Sequence, residues 1–183
     1  MEKDHALTYS IKTLEPGTDE FQVSMILAWR WLQDAGRARF FPHTGGGMRL
    51  HDFLDDARKR GRKNFAVCHS NELLSVIAIE TDGDHAYNFH VLSPRGAKAE
   101  AITNAVYNVG WQLFDRLQAE LVYTMVPSFN GHVHKGSKAM ATACGMMPYG
   151  EPEQEELNGH KYSWQMHVLT RENWLKDHYG KKD

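Results

Sequence analysis

The spacing of apolar residues in the first half of the chain predicts one strand, two helices and three further strands. The strands are predicted at residues 6–14, 64–69, 72–81 and 86–92. The first helix begins after Thr18, a good N-cap residue, and ends at Gly36, while the second helix covers residues 48–60. The loop at 37–47 ends in three consecutive glycines and is either a mobile lid or a plain flexible connection. Residues 72–81 are apolar on both faces, which indicates an interior strand.

The second half of the chain alternates helices and strands over longer stretches. The strongest helical period covers residues 98–118, and a shorter helix at 133–143 ends at Gly145. The remaining segments are a strand at 121–126, the start of a strand at 146–150, an acidic loop at 151–159 and a final strand at 162–168. This order predicts an α/β protein with a mixed, mostly antiparallel sheet and helices on both faces.

Composition limits the classes of protein that fit this pattern. The 183 residues are 42% hydrophobic and contain no repeat or linker, so we expect a single domain over residues 1–183. Twenty-one Lys and Arg against 23 Asp and Glu give a net charge of −2, which argues against a nucleic-acid partner. The sequence has neither a membrane-length apolar run nor the apolar core of a secretory signal.

Two cysteines, Cys68 and Cys144, are too few for a disulfide scaffold. They indicate a reducing compartment, and we therefore expect a cytoplasmic protein in which both thiols are packing residues.

The turn between the strand at 86–92 and the following helix is suited to an anion. The first amide N–H groups of a helix have no intrahelical partner, and the helix dipole favours negative charge there. Arg95 and Lys98 add two positive charges to this turn. A plain turn with solvated charges is the commoner explanation of such a segment.

The order of the elements, together with this turn, resembles the GNAT superfamily of N-acetyltransferases. Residues 89–96, with the sequence FHVLSPRG, resemble the family's fourth strand and its acetyl-CoA pyrophosphate loop. Asn130, followed by a short helix and residues 144–146, resembles the family pattern near the C-terminus, as does the ending at 168–174. Within the superfamily, the chain is similar to small GNAT-like proteins of tailed phages.

The resemblance implies an acetyl-CoA-dependent N-acetyltransferase whose acceptor is an unidentified small-molecule or protein amine. Acetyl-CoA is then the cosubstrate, and the residues implied to bind it are Val91, Leu92, Arg95, Gly96, Ala97, Lys98 and Asn130. His90 lies mid-strand beside that site and is the candidate general base, with a buried structural histidine as the alternative. No metal is expected.

Other titratable residues allow weaker interpretations. Glu80, Asp82 and Asp84 are either further candidate bases or the polar rim of a hairpin. His132 and His134 would diverge on a helix and have no third metal ligand nearby, so we interpret them as solvated loop histidines.

Three positions depart from the family pattern. Lys98 and Glu100 stand where the family has small residues, and Ala141 stands where it has a tyrosine that protonates the leaving thiolate. Asn130 is also further from Gly145 than the family pattern requires. These departures favour an alternative, a catalytically inactive GNAT-fold protein with a structural or assembly role. Such a protein could be part of a phage virion, and its partner would be a virion protein or a second copy of this chain.

Overall fold

The computed structural model describes residues 9–43, 48–97 and 99–179. Its strands are β1 (Tyr9–Leu14), β2 (Arg62–His69), β3 (Glu72–Asp82), β4 (Ala86–Leu92), β5 (Leu121–Phe129), β6 (His132–Val133), β7 (Met147–Pro148), β8 (Glu153–Leu157) and β9 (His160–Thr170). Its helices are α1 (Asp19–Leu32), α2 (Ala35–Ala38), α3 (Leu50–Ala57), α4 (Ala99–Trp111), α5 (Lys135–Ala143) and α6 (Arg171–Tyr179), and a π-helical turn, Gln112–Arg116, follows α4.

The strands form one mixed sheet in the order β1-β2-β3-β4-β5-β9-β7, with β6 on β5 and β8 on β9. Neighbouring strands are antiparallel except β4 and β5, which are parallel. That parallel pairing covers only residues 86–88 of β4 and 121–123 of β5, although both strands continue beyond it. The mixed, mostly antiparallel sheet predicted from the sequence is therefore confirmed. At the centre of this sheet, β4 and β5 separate after their short paired stretch.

Helices cover both faces of the sheet, as predicted. On one face, apolar residues of α1 and α3, such as Phe21 and Phe53, pack against Ala66 and Val76. On the other face, α4 packs its apolar stripe against Ile77 and its neighbours. Because successive residues of a strand point to opposite faces, Val76 and Ile77 belong to different cores. Residues 75–79 of β3 are buried, which confirms the prediction of an interior strand.

The largest difference from the sequence prediction is at residues 151–159, where an acidic loop was expected. The structure has instead a hairpin of β8 and β9, closed by Asn158 and Gly159 with φ values of +52° and +75°. An Asn-Gly pair is the preferred residue pair for such a two-residue turn. Most of the acidic side chains of β8 are exposed, so the strand forms without burying charge.

Several predicted boundaries also move. The strand predicted at 121–126 continues to Phe129, and the helix predicted at 98–118 changes to π-helical geometry after Trp111. The first helix, predicted to end at Gly36, ends at Leu32, and residues 37–38 of the predicted loop at 37–47 belong to the short helix α2. The helix α6 was not predicted, because only its buried Trp174 marks an apolar side. Lys98 and the glycines at 45–47 lie outside the described residues, within which no helix has the length and apolar character that crossing a membrane requires.

Both cysteines lie in the cores, Cys68 with the α1 and α3 side and Cys144 with the α4 side. Burial raises the pKa of the Cys144 thiol to about 12, so it stays protonated and unreactive.

Replacing Trp174 should test whether α6 is part of the folded unit. Its side chain is 3% exposed and stacks on Phe114 with 5.1 Å between ring centroids. Because the substitution leaves a large cavity, Trp174→Ala should lower the free energy of unfolding by about 3–5 kcal/mol. Trp174→Phe should lose less, and chemical denaturation measures both. Equal losses of under about 1 kcal/mol would show that α6 does not pack as described.

Candidate functional site

The parting of β4 and β5 opens a wedge at the centre of the sheet. Two cavities adjoin there, one of about 420 Å³ and one of about 380 Å³. Leu32, Phe41 and Leu92 line both of them. Val91 lines only the first cavity and His90 only the second, because neighbouring residues of β4 point to opposite faces. The wedge thus joins two chambers on opposite sides of the sheet.

The first cavity lies between the end of β4 and the helices α4 and α5. Ile102 and Met140 give it apolar walls, and the turn at 93–97 borders one end with the start of α4. Gly96 has φ of +73°, a left-handed conformation that lets the chain reverse from strand to helix without strain. An anion at this turn would meet free helical amides and the positive end of the helix dipole.

Two arginines hold this turn in place. Arg37 of α2 donates to the backbone carbonyl of Ser93 and also lines the first cavity. Arg95 forms an ion pair with Asp34, with 3.3 Å between its Nη2 and the carboxylate Oδ1. The segment after α1 is therefore tied to the turn, although sequence spacing alone gave no sign of these contacts.

Most of the predicted cofactor residues lie together. Val91, Leu92, Gly96 and Ala97 line the first cavity. Arg95 is exposed and lies with Gly96 and Ala97 on an adjoining surface depression of about 360 Å³. Lys98 lies outside the described residues, so the structure places only its neighbours.

Asn130 lies apart from this group. It occupies the turn between β5 and β6 with φ of +47°, and its Oδ1 accepts a hydrogen bond from the Lys161 N–H at 2.9 Å. Its side chain lines neither cavity. Asparagine suits this position because its side chain tolerates a left-handed backbone and satisfies a neighbouring amide.

The start of α5 contributes two polar residues to the first cavity that the sequence analysis did not assign to it. The His134 Nδ1 accepts the Ser137 backbone N–H at 3.2 Å and lies 2.8 Å from the Ser137 Oγ. His134 is thus the N-cap of α5 and not a solvated loop residue. Burial lowers the pKa of His134, and the nearby Arg37 adds to this effect. A His-x-x-Ser sequence before a helix was the available signal.

Ala141, which the resemblance aligns with the family's tyrosine, is a fully buried residue of α5 that belongs to the core on the α4 side and lines neither cavity.

The second cavity has a polar floor and apolar walls. Arg62, Glu80 and Asn88 are neighbours across three adjacent strands and line its floor together with Asp56 of α3. Its walls are formed by the side chains of Leu32, Phe41, Met48, Phe53, Met125 and Trp164.

His90 lies beside this floor, two residues after Asn88 on β4. Burial, together with the positive charge of Arg62, lowers the pKa of His90 to about 4. At neutral pH the imidazole is therefore uncharged and able to accept a proton or a hydrogen bond. Of the three other candidate bases, only Glu80 lines the cavity. Asp82 accepts a hydrogen bond from the Tyr123 hydroxyl at 2.8 Å, and Asp84 is exposed in the hairpin turn.

Within the described ranges no group of three His, Cys, Asp or Glu side chains could hold a metal ion.

The fold of this chain resembles those of several solved acetyltransferase structures. The structure resembles spermidine N-acetyltransferase from Vibrio cholerae, solved with CoA and spermine, with a TM-score of 0.67 and 12% identity over 91% of this chain and 98% of that chain. The chain has the GNAT acetyltransferase fold. A GNAT-family acetyltransferase from Bacillus anthracis gives a TM-score of 0.62 at 15% identity, over 90% of this chain and 95% of that one.

The N-acetyltransferase PseH from Campylobacter jejuni gives a TM-score of 0.56 at 12% identity, over 88% of this chain and 97% of that one. No protein-family model and no curated protein sequence matches the chain. The likeness is therefore one of fold, and it confirms the fold implied by the sequence resemblance.

The enclosure of His90 should appear in the pH dependence of stability. Its pKa is lowered from 6.5 to about 4 in the folded state, so only the unfolded state binds this proton at intermediate pH. Stability should therefore fall as the pH decreases from 6.5 towards 4, by on the order of 3 kcal/mol from this group. Denaturation of His90→Gln over the same range should show a shallower fall, and the exposed control His132→Gln should follow the wild type. Parallel curves for wild type and His90→Gln would contradict the description of His90.

Proposed function

We propose that this chain is an acetyl-CoA-dependent N-acetyltransferase acting on an amine. The observation that carries the proposal is the wedge between β4 and β5, which joins a cleft beside an anion-binding turn to a chamber with proton acceptors. Two substrates entering from opposite faces of the sheet would meet there. The neighbour solved with CoA and spermine shows that this fold accommodates both kinds of molecule in that protein.

In this proposal the first cavity holds acetyl-CoA. The backbone of Val91 and Leu92 binds the pantetheine arm, since this end of β4 has no strand partner on the β5 side. The amides and cations of the turn, namely Arg95, Gly96, Ala97 and Lys98, bind the pyrophosphate. Asn130 is left out of this set because its side chain is bonded to the backbone of Lys161.

The reaction needs a neutral amine. The ammonium group first gives one proton to a base. The neutral nitrogen then forms a bond to the acetyl carbon as the carbon–sulfur bond breaks, and the second proton lost by the nitrogen protonates the CoA thiolate. His90, uncharged and facing the second cavity, is the proposed base. Glu80 is the nearest carboxylate alternative on the same floor. The active unit is the single domain of residues 1–183 in the cytoplasm.

The alternative function is a GNAT-fold protein without catalysis that acts as a structural or assembly protein, with a virion as one location. Buried Ala141 and the exposed carboxylate of Glu100 in the first turn of α4 favour it. A stable complex with another protein, and no binding of acetyl-CoA, would support it.

Isothermal titration with acetyl-CoA tests the proposed function. Wild type should bind at micromolar to millimolar concentration, and Ala139→Trp should abolish binding because Ala139 lines the first cavity. Thr142→Trp is the matched control, since Thr142 is exposed on the same helix and does not line that cavity. Absence of binding to wild type, or equal binding to both variants, would refute an acetyl-CoA site at the wedge.

Replacing Glu100 tests the charge at the helix start. Glu100→Ala removes a negative charge near the proposed pyrophosphate site, so acetyl-CoA should bind about fivefold more tightly, with a gain that shrinks as salt increases. The same substitution should lower stability slightly, since a carboxylate suits the first helical turn. If only stability changed and acetyl-CoA bound neither form, the structural alternative would be favoured.

A further inference from the structure

The charges that line the second cavity do not cancel. Asp56 forms an ion pair with Arg62, whose side chain is only 9% exposed, and these two lining charges neutralise each other. The Lys59 Nζ also contacts the Asp56 Oδ1 at 2.6 Å, but the Lys59 side chain is 62% exposed and does not line the cavity. Glu80 forms no ion pair with any described residue, so its carboxylate is the unpaired acidic group of this lining. One positive charge on a ligand would balance it.

A buried acceptor lies next to this carboxylate. The Oδ1 of Asn88 is buried and has no hydrogen-bond partner among the described residues. Asn88 is the direct cross-strand neighbour of Glu80, so both residues present acceptors on the same face of the sheet. A buried acceptor without a partner is costly, and a ligand that donates N–H bonds would satisfy it.

The walls of the cavity fit an apolar, flat body. Trp164 stacks on Tyr162 with 6.2 Å between centroids and 12° between planes, and on His43 at 6.3 Å and 27°. The Nε2 of His43 contacts the Glu155 carboxylate at 2.7 Å, which holds the imidazole in place. Phe41 and Phe53 line the same space. These contacts support the ring of Trp164, which gives a ligand ring an aromatic wall to contact.

We propose that the acceptor is a primary amine with one positive charge on an aromatic body, an arylalkylamine. Its amine end lies at Glu80 and Asn88, beside His90 and the wedge, and its ring lies against Trp164 and Phe41. A polyamine carries several positive charges, whereas this lining offers only one carboxylate without an ion-pair partner. The inference rests on the proposed function, since the ring and charge sites describe the acceptor side of the same reaction.

Calorimetry with three probes tests this inference, both without cofactor and with CoA present. The probes are 2-phenylethylamine, the neutral 2-phenylethanol and spermidine. We expect 2-phenylethylamine to bind at least about tenfold more tightly than either of the others, because only it combines one charge with a ring. Spermidine binding more tightly, or no binding of 2-phenylethylamine in either state, would overturn the inference.

Variants separate the two parts of the site. Glu80→Gln should remove the preference for the amine over the alcohol, while Glu72→Gln, an exposed change on the same strand, should leave it intact. Trp164→Ala should weaken both aromatic probes and Trp164→Phe should restore most of the loss, with thermal unfolding as the check on folding. Unchanged amine preference in Glu80→Gln, or unchanged aromatic binding in Trp164→Ala, would overturn the assignment.

Binding of acetyl-CoA, measured separately, distinguishes the two proposals. If acetyl-CoA binds and 2-phenylethylamine does not, the acetyltransferase proposal stands and this inference fails. If 2-phenylethylamine binds and acetyl-CoA does not, the amine site stands and the acetyltransferase proposal fails.

Discussion

The separation of β4 from β5 is the constraint on which the rest of the structure depends. The two strands pair in parallel for three residues each and then diverge, while β4 stays bonded to β3 and β5 to β9. On the wedge side, β4 is therefore open after residue 88, and β5 is open after residue 123 until β6 pairs with it at residues 128–129. Backbone N–H and C=O groups along these open edges need partners, and a ligand with amide groups can supply them. In this account the parted strands are a binding site built from main-chain groups.

The same divergence also explains why the two chambers differ in chemistry. Residues of β4 alternate between the faces, so Val91 faces α4 and α5 while His90 faces α1 and α3. The α4 side combines apolar walls with a helix start, which suits a long molecule with a charged end. The opposite side combines a row of polar residues on three strands with aromatic walls. In the proposed function, one sheet thereby separates the side that would bind the phosphates from the side that would bind the amine.

The sequence predicted the parts of this structure that depend on local periodicity. Apolar spacing in α1, α4 and β3 identified the elements, and the turn around Gly96 was marked by its residue types. It did not predict the β8–β9 hairpin, because an acidic edge strand has no apolar alternation to detect. It also missed α6, where a single buried tryptophan replaces an apolar stripe.

Only part of the candidate site was predicted from the sequence, namely the part whose residues are close together along the chain. Val91, Leu92, Gly96 and Ala97 are close in sequence and lie together in the structure. By contrast, Arg37, His134 and Trp164 come to the two cavities from distant segments, and only the fold brings them together. Asn130 matched a pattern, but its backbone conformation and its bond to Lys161 account for it locally. The local spacing of residues in the sequence does not show which distant segments the fold brings together.

Amide chemical shifts recorded during a titration with acetyl-CoA test the central claim most directly. If the wedge is the cofactor site, the largest changes should fall on residues 91–97 at the end of β4 and on the start of α5, with small changes at Asn130. Saturation should follow a single binding curve. Changes concentrated elsewhere, or none at millimolar acetyl-CoA, would contradict the account.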